Sequence, residues 1–278
     1  MDKLKEILGR VKEMPTMPAM ADNALKILSD PNVHILKAAE ALQQDFALTT
    51  RILKLANSAY YARGRKISTM LEALVLLGMK TIKNLLISAS AYGIMNKKVE
   101  GYLLGKEDLW KHSLCCALAS EIIAAETRPA LKELAYTSGL LHDVGKIILA
   151  HYVQEDFIRL IEKIEKENVS FDTAENEIIG FSHATLGAGV LRQWNFSEEI
   201  TMAIEFHHSP ELSSKPDLAR IVHIADAVSM MIGVGIGADG LMYPLDENAV
   251  LSLGLAKEKF EGILAKTADA VSSFESEI

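Results

Sequence analysis

The amino-acid sequence predicts an all-α fold, a globular helical bundle of about a dozen helices of moderate length. Three observations carry that prediction. Apolar residues recur at intervals of three and four, helix start and stop signals punctuate the chain, and no series of alternating apolar and polar residues runs between turn dipeptides as paired strands would require.

From the N-terminus, Leu4, Ile7, Leu8 and Val11 form one face of a first helix, and Ala24, Leu25 and Leu28 one face of a second. Thr69 and Glu72 have capping-box spacing and open a helix that Gly78 stops, and Gly93 stops the next apolar run. The polar stretch 96–101 marks a boundary between an N-terminal helical half, 1–105, and a second helical half, 106–278, that includes a C-terminal extension. Asp172 with Glu175 repeats the capping-box spacing, Gly180 supplies a stop, and Ser197 precedes Glu198 and Glu199 at a further helix start. Residues 221–228 read as a strongly apolar helix. Residues 233–247, rich in glycine and closed by Pro244, form the longest expected loop. Those glycines are not a dinucleotide-binding fingerprint, because a helix and not a strand precedes them.

The chain has 278 residues, 49% hydrophobic and 24% charged, which excludes a disordered protein and allows a large core without disulfides. Its two cysteines, Cys115 and Cys116, are neighbours, which excludes a disulfide framework and suits a reducing compartment. The amphipathic N-terminus lacks the apolar run of a signal peptide, and no uncharged apolar stretch is long enough to span a membrane, so a cytoplasmic protein is expected. The net charge of −8 argues against a polyanion binder. It is unevenly spread, with +6 over residues 1–111 and −14 over the rest. The basic excess gathers at Arg51, Lys54, Arg63, Arg65, Lys66, Lys80 and Lys83. This is either a solvated helical surface or a docking face for an acidic partner, and it lacks the interleaved aromatic residues of a nucleic-acid site.

The chemistry lies in the second half. His112, His142, His183, His207 and His208 fall in settings that could converge, with Asp143 beside His142 and Asp226 in an apolar helix. Adjacent residues on a helix point about 100° apart, so His142 and Asp143 could serve one ion, or Asp143 could bridge two. A carboxylate among apolar neighbours requires a partner or a metal. Mixed imidazole and carboxylate donors suit iron, manganese, zinc or nickel better than calcium or magnesium. His223, three residues before Asp226, is the alternative partner for that carboxylate. Cys115 reads as core, and His34 and His151 carry no special expectation.

His112, the pair His142-Asp143 and the distal Asp226 match in order the signature of the HD superfamily of metal-dependent phosphohydrolases, which this sequence resembles. His183 and His207-His208 resemble the additional ligands of the binuclear HD-GYP phosphodiesterases, and Lys146 matches the lysine of their His-Asp-x-Gly-Lys pentad. In the first half, residues 14–18, 44–49, 55–60 and 67–69, with the segment ending at Gly78, resemble the HDOD domain. The resemblance implies an HD-domain-like core preceded by an N-terminal helical half. It also implies two divalent transition-metal ions, iron foremost, one held by His112, His142, Asp143 and Asp226. The other would be held by His183, His207 and His208, with Asp143 bridging. Ser209-Pro210-Glu211 follows the histidine pair where the HD-GYP family would place Gly-Tyr-Pro, and the later Met242-Tyr243-Pro244 is taken as coincidence.

Two functions follow from the resemblance. The first is a bacterial signal-transduction module that acts through a protein partner, with metal stapling its helices and Asn57, Ser58 and the Arg63-Arg65-Lys66 loop as working surface. The alternative is a metal-dependent phosphohydrolase or phosphodiesterase acting on a phosphate ester or cyclic nucleotide. In it Asp143 holds the ions and Lys146 offsets charge on a phosphate oxygen. A redox or gas sensor using iron at the same ligands is a third possibility.

Overall fold

The computed structural model describes residues 2–11, 19–62, 64–152, 156–237 and 243–275. The motif at 14–18, Arg63 and Met242 lie outside them. The α-helices run in the order α1 (Asp2–Val11), α2 (Ala19–Ser29), α3 (Ile35–Gln43), α4 (Phe46–Ala56), α5 (Ala59–Ala62), α6 (Met70–Met95), α7 (Asp108–Thr127) and α8 (Lys132–Leu141). They continue with α9 (Val144–Tyr152), α10 (Asp156–Glu167), α11 (Phe171–Ile178), α12 (His183–Gln193), α13 (Glu198–Glu205), α14 (Pro216–Ile232), α15 (Glu247–Ser252) and α16 (Lys257–Glu275). The described residues contain no strand, only an isolated bridge between Val99 and Leu104. The fold is all-α, as the periodicity predicts.

Two units are each built from two stretches of chain: one from 1–14 and 95–267, the other from 15–94 and 268–278. In the unit formed by 15–94 and 268–278, α3 packs on α2 and on α4. Asp45 caps α4, its carboxylate accepting the N–H groups of Ala47 at 2.8 Å and Leu48 at 3.0 Å. Asn57 ends that helix and clamps the chain ten residues on. Its amide donates to Leu53 O and Ile67 O, and its oxygen accepts the Ile67 N–H at 2.8 Å. Ser58 is fully buried. Ser58 is therefore internal structure and not part of the working surface expected of it, whereas Asn57 is half-buried. At α6, the Glu72 N–H donates to Thr69 Oγ1 at 3.1 Å, the cap that the spacing predicts, while the Glu72 carboxylate reaches one residue further back and accepts the Ser68 N–H at 2.8 Å. Gly78 breaks α6 with φ +80°, whereas the helix runs past Gly93 to Met95. Tyr60, Tyr61 and Phe274 form an aromatic cluster.

In the unit formed by 1–14 and 95–267, α7 and α8 form a helical hairpin through the turn 129–131, and α14 packs on both. Cys116, Ala119, Ile123, Ile221, Val222, Ala225 and Val228 centre its core, and the first part of α16 adds Ile263. Gly139 lets α8 lie directly on α7: a Cβ there would meet Cys116 O at 2.6 Å. Gly145 does the same for α9 on α12, where a Cβ would sit 1.9 Å from His183 O. Leu8 of α1 rests on Gly189, and Gln193 donates to Leu8 O at 3.0 Å. These close crossings bring the ends of α8, α12 and α13 to one place beside α7 and α14.

Candidate metal centre

Helix ends hold the histidines. The last carbonyls of a helix lack intrahelical donors, and two of them orient rings here. His142, just past α8, donates its Nδ1–H to Gly139 O at 2.8 Å, and His207, past α13, donates its own to Ile204 O at 2.7 Å. His183 opens α12, where first-turn N–H groups need acceptors. Glu175 Oε2 accepts both the His183 backbone N–H and its Nδ1–H, each at 2.7 Å. His112, mid-α7, donates Nδ1–H to Val234 O at 3.2 Å. Four rings are thus anchored through Nδ1 and turn Nε2 inward, the arrangement usual for metal-ligating imidazoles.

The inward atoms converge. His112 Nε2 lies 3.0 Å from Asp226 Oδ1, and His142 Nε2 lies 3.4 Å from Asp143 Oδ2 and 3.7 Å from Asp226 Oδ1. On the other side of the carboxylate, His183 Nε2 is 3.3 Å from Asp143 Oδ1 and 3.1 Å from His208 Nε2. Two donors about 2.1 Å from one ion, subtending 90° to 109°, stand about 3.0 to 3.4 Å apart. Most of these spacings fall in that interval. Three sets of donor atoms come within 4.8 Å of one another: His112, His142 and Asp226; His142, Asp143 and His207; His183, His207 and His208. All seven residues named from the sequence as ligands are therefore brought together, with Lys146 Nζ 2.8 Å from Asp143 Oδ2.

The residues fit a cation. His207 Nε2 and Asp143 Oδ1 are buried without a hydrogen bond, which is costly unless an ion takes those lone pairs, while Asp143 Oδ2 pairs with Lys146. Asp143, Glu175 and Asp226 are buried carboxylates with Lys146 the one buried lysine among the described residues, and against their burial Asp143 raises the pKa of His142 and Glu175 that of His183, positive charge that divalent cations would replace. Burial alone would raise the Asp226 carboxyl, but hydrogen bonds from His112 and His142 outweigh it and hold it well below the usual range. Asp143 is held down in the same way by His142 and Lys146 against its burial. Burial and the neighbouring His142 and His183 push His207 down to about 3, so its imidazole is neutral and available as a ligand. A cavity of about 10 Å³, lined by His112, Asp143, Lys146, Gly235 and Ile236 among others, has room for about one water.

Several contributors were not legible as such. Glu175, expected in a capping box, is fully buried and bonds His183 and the Tyr102 hydroxyl. The actual cap of α11 is Ser170, which accepts the Thr173 N–H at 3.2 Å. His223 does not pair with Asp226: it donates Nδ1–H to His207 O at 2.8 Å and accepts the Asp246 N–H at 2.9 Å. Tyr243, set aside with Met242 and Pro244, stacks on His208 at 4.2 Å and 7°. His34, given no role, caps α3. Cys115 and Cys116 are buried free thiols, as expected of core residues.

An all-helical fold that gathers these histidines and aspartates in this order has the HD-type arrangement, and the HDOD family model matches residues 14–210. The chain belongs to the HDOD domain family. It is similar over 99% of its length to an HDOD domain protein of unknown function from Geobacter sulfurreducens, with TM-score 0.78 and 26% identity, covering 97% of that chain. It is also similar over 98% of its length to a provisionally assigned phosphohydrolase from Shewanella amazonensis SB2B, with TM-score 0.74 and 25% identity, covering 97% of that chain. An uncharacterized protein of Treponema pallidum (strain Nichols) is 26% identical over 204 residues, 73% of this chain. The chain spans 39% of that relative's length. No described helix is long and apolar enough to cross a membrane.

Proposed function

We propose that this chain is a signal-transduction module of the HDOD type, whose buried centre holds two divalent transition-metal ions, iron foremost, and which acts by binding a protein partner. The observation that carries this reading is closure. Six of the seven donor residues are buried, and the cavity that adjoins them has room for about one water. His112, His142 and Asp226 would hold one ion with Asp143 Oδ2, and His183, His207 and His208 the other with Asp143 Oδ1. Binding would contribute folding energy whatever else the ions do. The exposed Arg65, Lys66 and Lys80 suit an acidic partner. The free adjacent thiols suit the reducing cytoplasm.

The test is metal per chain by elemental analysis, on protein purified anaerobically without chelator, with Asp143→Ala alongside. About two ions per chain, lost in the variant, is the expected result for a two-metal site. A folded wild type without metal refutes the reading.

A second reading, a phosphohydrolase acting on a nucleotide or other phosphate ester, is favoured by one observation. Lys146 is buried, pairs with Asp143 and lines the water-sized cavity together with His112. Bound ions would supply an acidified water and polarise a phosphoryl oxygen. Lys146 would neutralise charge building on such an oxygen, and the surrounding burial would strengthen that interaction. On this reading Lys146→Ala keeps its metal and loses hydrolysis of phosphate esters. A variant that loses its metal assigns Lys146 a structural role.

A further inference from the structure

We infer that Glu175 is a positioning residue of the centre, holding the His183 Nε2 lone pair toward the second ion, and that it acts on this ion and not on the first. The inference rests on the metal-binding reading and goes beyond it by naming the residue that governs half of the centre.

The anchors of the four fixed rings are not alike. His112, His142 and His207 donate to neutral backbone carbonyls, those of Val234, Gly139 and Ile204. Of these four rings only His183 anchors its Nδ1 on a carboxylate. That carboxylate is fully buried, a costly location for a charge unless every lone pair is used. Its Oε2 accepts from both the backbone and the ring of His183, so one atom fixes the start of α12 and the rotation of the imidazole about its own bonds. Its Oε1 accepts from the Tyr102 hydroxyl, which keeps the second oxygen occupied and the carboxylate plane fixed.

Two consequences follow for His183. Its Nδ1 must carry the proton, because a carboxylate only accepts, so in the neutral ring Nε2 is a bare lone pair facing His208 Nε2 and Asp143 Oδ1. The anionic partner also makes Nε2 a stronger donor to a cation than a carbonyl-anchored ring would be. No hydrogen bond among the described residues ties Glu175 to His112, His142 or Asp226, so its influence falls on the half of the centre formed by His183, His207 and His208.

Glu175→Gln preserves the shape and an acceptor oxygen while removing the charge, and Tyr102→Phe loosens the carboxylate while keeping the ring that meets His183 edge-on. Titration with Mn(II), followed by calorimetry and electron paramagnetic resonance, reads the two ions separately. In Glu175→Gln the first ion is expected to bind as in wild type and the second about ten- to a hundredfold more weakly. Tyr102→Phe should weaken only the second ion, by less. Equal weakening of both ions, or of neither, overturns the inference. A second measurement does not need metal: ¹⁵N shifts of the His183 ring in metal-free wild type at alkaline pH, where the ring is neutral although Glu175, against its burial, raises its pKa. The expected result is a protonated Nδ1 and a bare Nε2; a protonated Nε2 overturns the inference. A wild type that binds no Mn(II) defeats the metal reading alone, and the ring shifts then still decide what Glu175 does.

Discussion

Gly145, the glycine of the His142-to-Lys146 pentad, offers a sharp test of how packing sets the centre. A methyl group there would lie 1.9 Å from His183 O, 2.8 Å from His183 C and 2.9 Å from Gly187 N. Those atoms are backbone of α12, so no side chain can rotate out of the way. Reaching even the 3.0 Å floor of real Cβ contacts requires α9 and α12 to separate by about 1.1 Å at this point. Overpacking of a rigid crossing costs about 1–3 kcal/mol, and backbone on backbone belongs at the upper end. At about 2–4 °C per kcal/mol for a domain of this size, Gly145→Ala should lower the Tm of metal-free protein by roughly 6–12 °C.

The same displacement reaches the metal. His183 Nε2 lies 3.3 Å from Asp143 Oδ1, and the two sit on opposite sides of the Gly145 crossing. Metal sites tolerate deviations of about 0.2 Å in ligand distance, so Gly145→Ala should also weaken Mn(II) uptake at the His183 half of the centre. Differential scanning calorimetry with and without chelator separates the two effects. Gly262→Ala is the control, a helical glycine with nothing within 4 Å of an added Cβ, expected to be neutral or more stable by up to about 1 kcal/mol. A Gly145→Ala protein that melts with wild type would show that α9 and α12 do not cross as described, and the packing argument would fail.

Asn57→Ala removes the acceptors and donors that hold Ile67 and Leu53, leaving backbone groups without partners at about 1–3 kcal/mol; thermal unfolding should shift down while Mn(II) per folded chain stays unchanged, and lost metal would contradict a purely structural clamp. On the surface, the hydrogen bond from Arg220 holds the Glu211 carboxyl below its ordinary 4.5. A carboxyl lowered in the folded state stabilises above its unfolded pKa, and that contribution is lost as pH falls through the folded value. Arg220→Ala should return Glu211 toward 4.5 in a carboxyl-detected NMR titration, and an unmoved Glu211 would dismiss the pairing.

What was legible in the sequence follows from where each signal resides. The helices were readable because their evidence is local: the apolar period, the Thr69–Glu72 cap and the glycines at 78 and 180 act within a few residues of themselves. Gly93 misled because a helical glycine and a terminal one share the same neighbours, and only the continuing apolar face of α6 separates them. The ligands were readable for a different reason. Histidine and aspartate in apolar settings announce an unmet need for partners, so the types alone pointed to a shared ion although His112 and Asp226 lie 114 residues apart.

The residues that orient those ligands carry no such announcement. Glu175 satisfies a local rule in the wrong frame: Asp172 stands three residues before it, but Ser170 makes the cap, and the freed carboxylate turns inward to a histidine eight residues on and a tyrosine 73 residues back. His223 shares a helical face with Asp226, and only the fold shows that its ring bridges the His207 carbonyl and the Asp246 N–H. Composition reports which groups need a cation; it does not report which second group holds each of them still. A centre whose donors are retained but whose Glu175 or His223 is replaced would read as intact from its ligands, yet it would have lost the contacts that turn those ligands toward one point. For this fold, therefore, the ligand signature is evidence of capacity, and the buried partners behind it decide whether that capacity is kept.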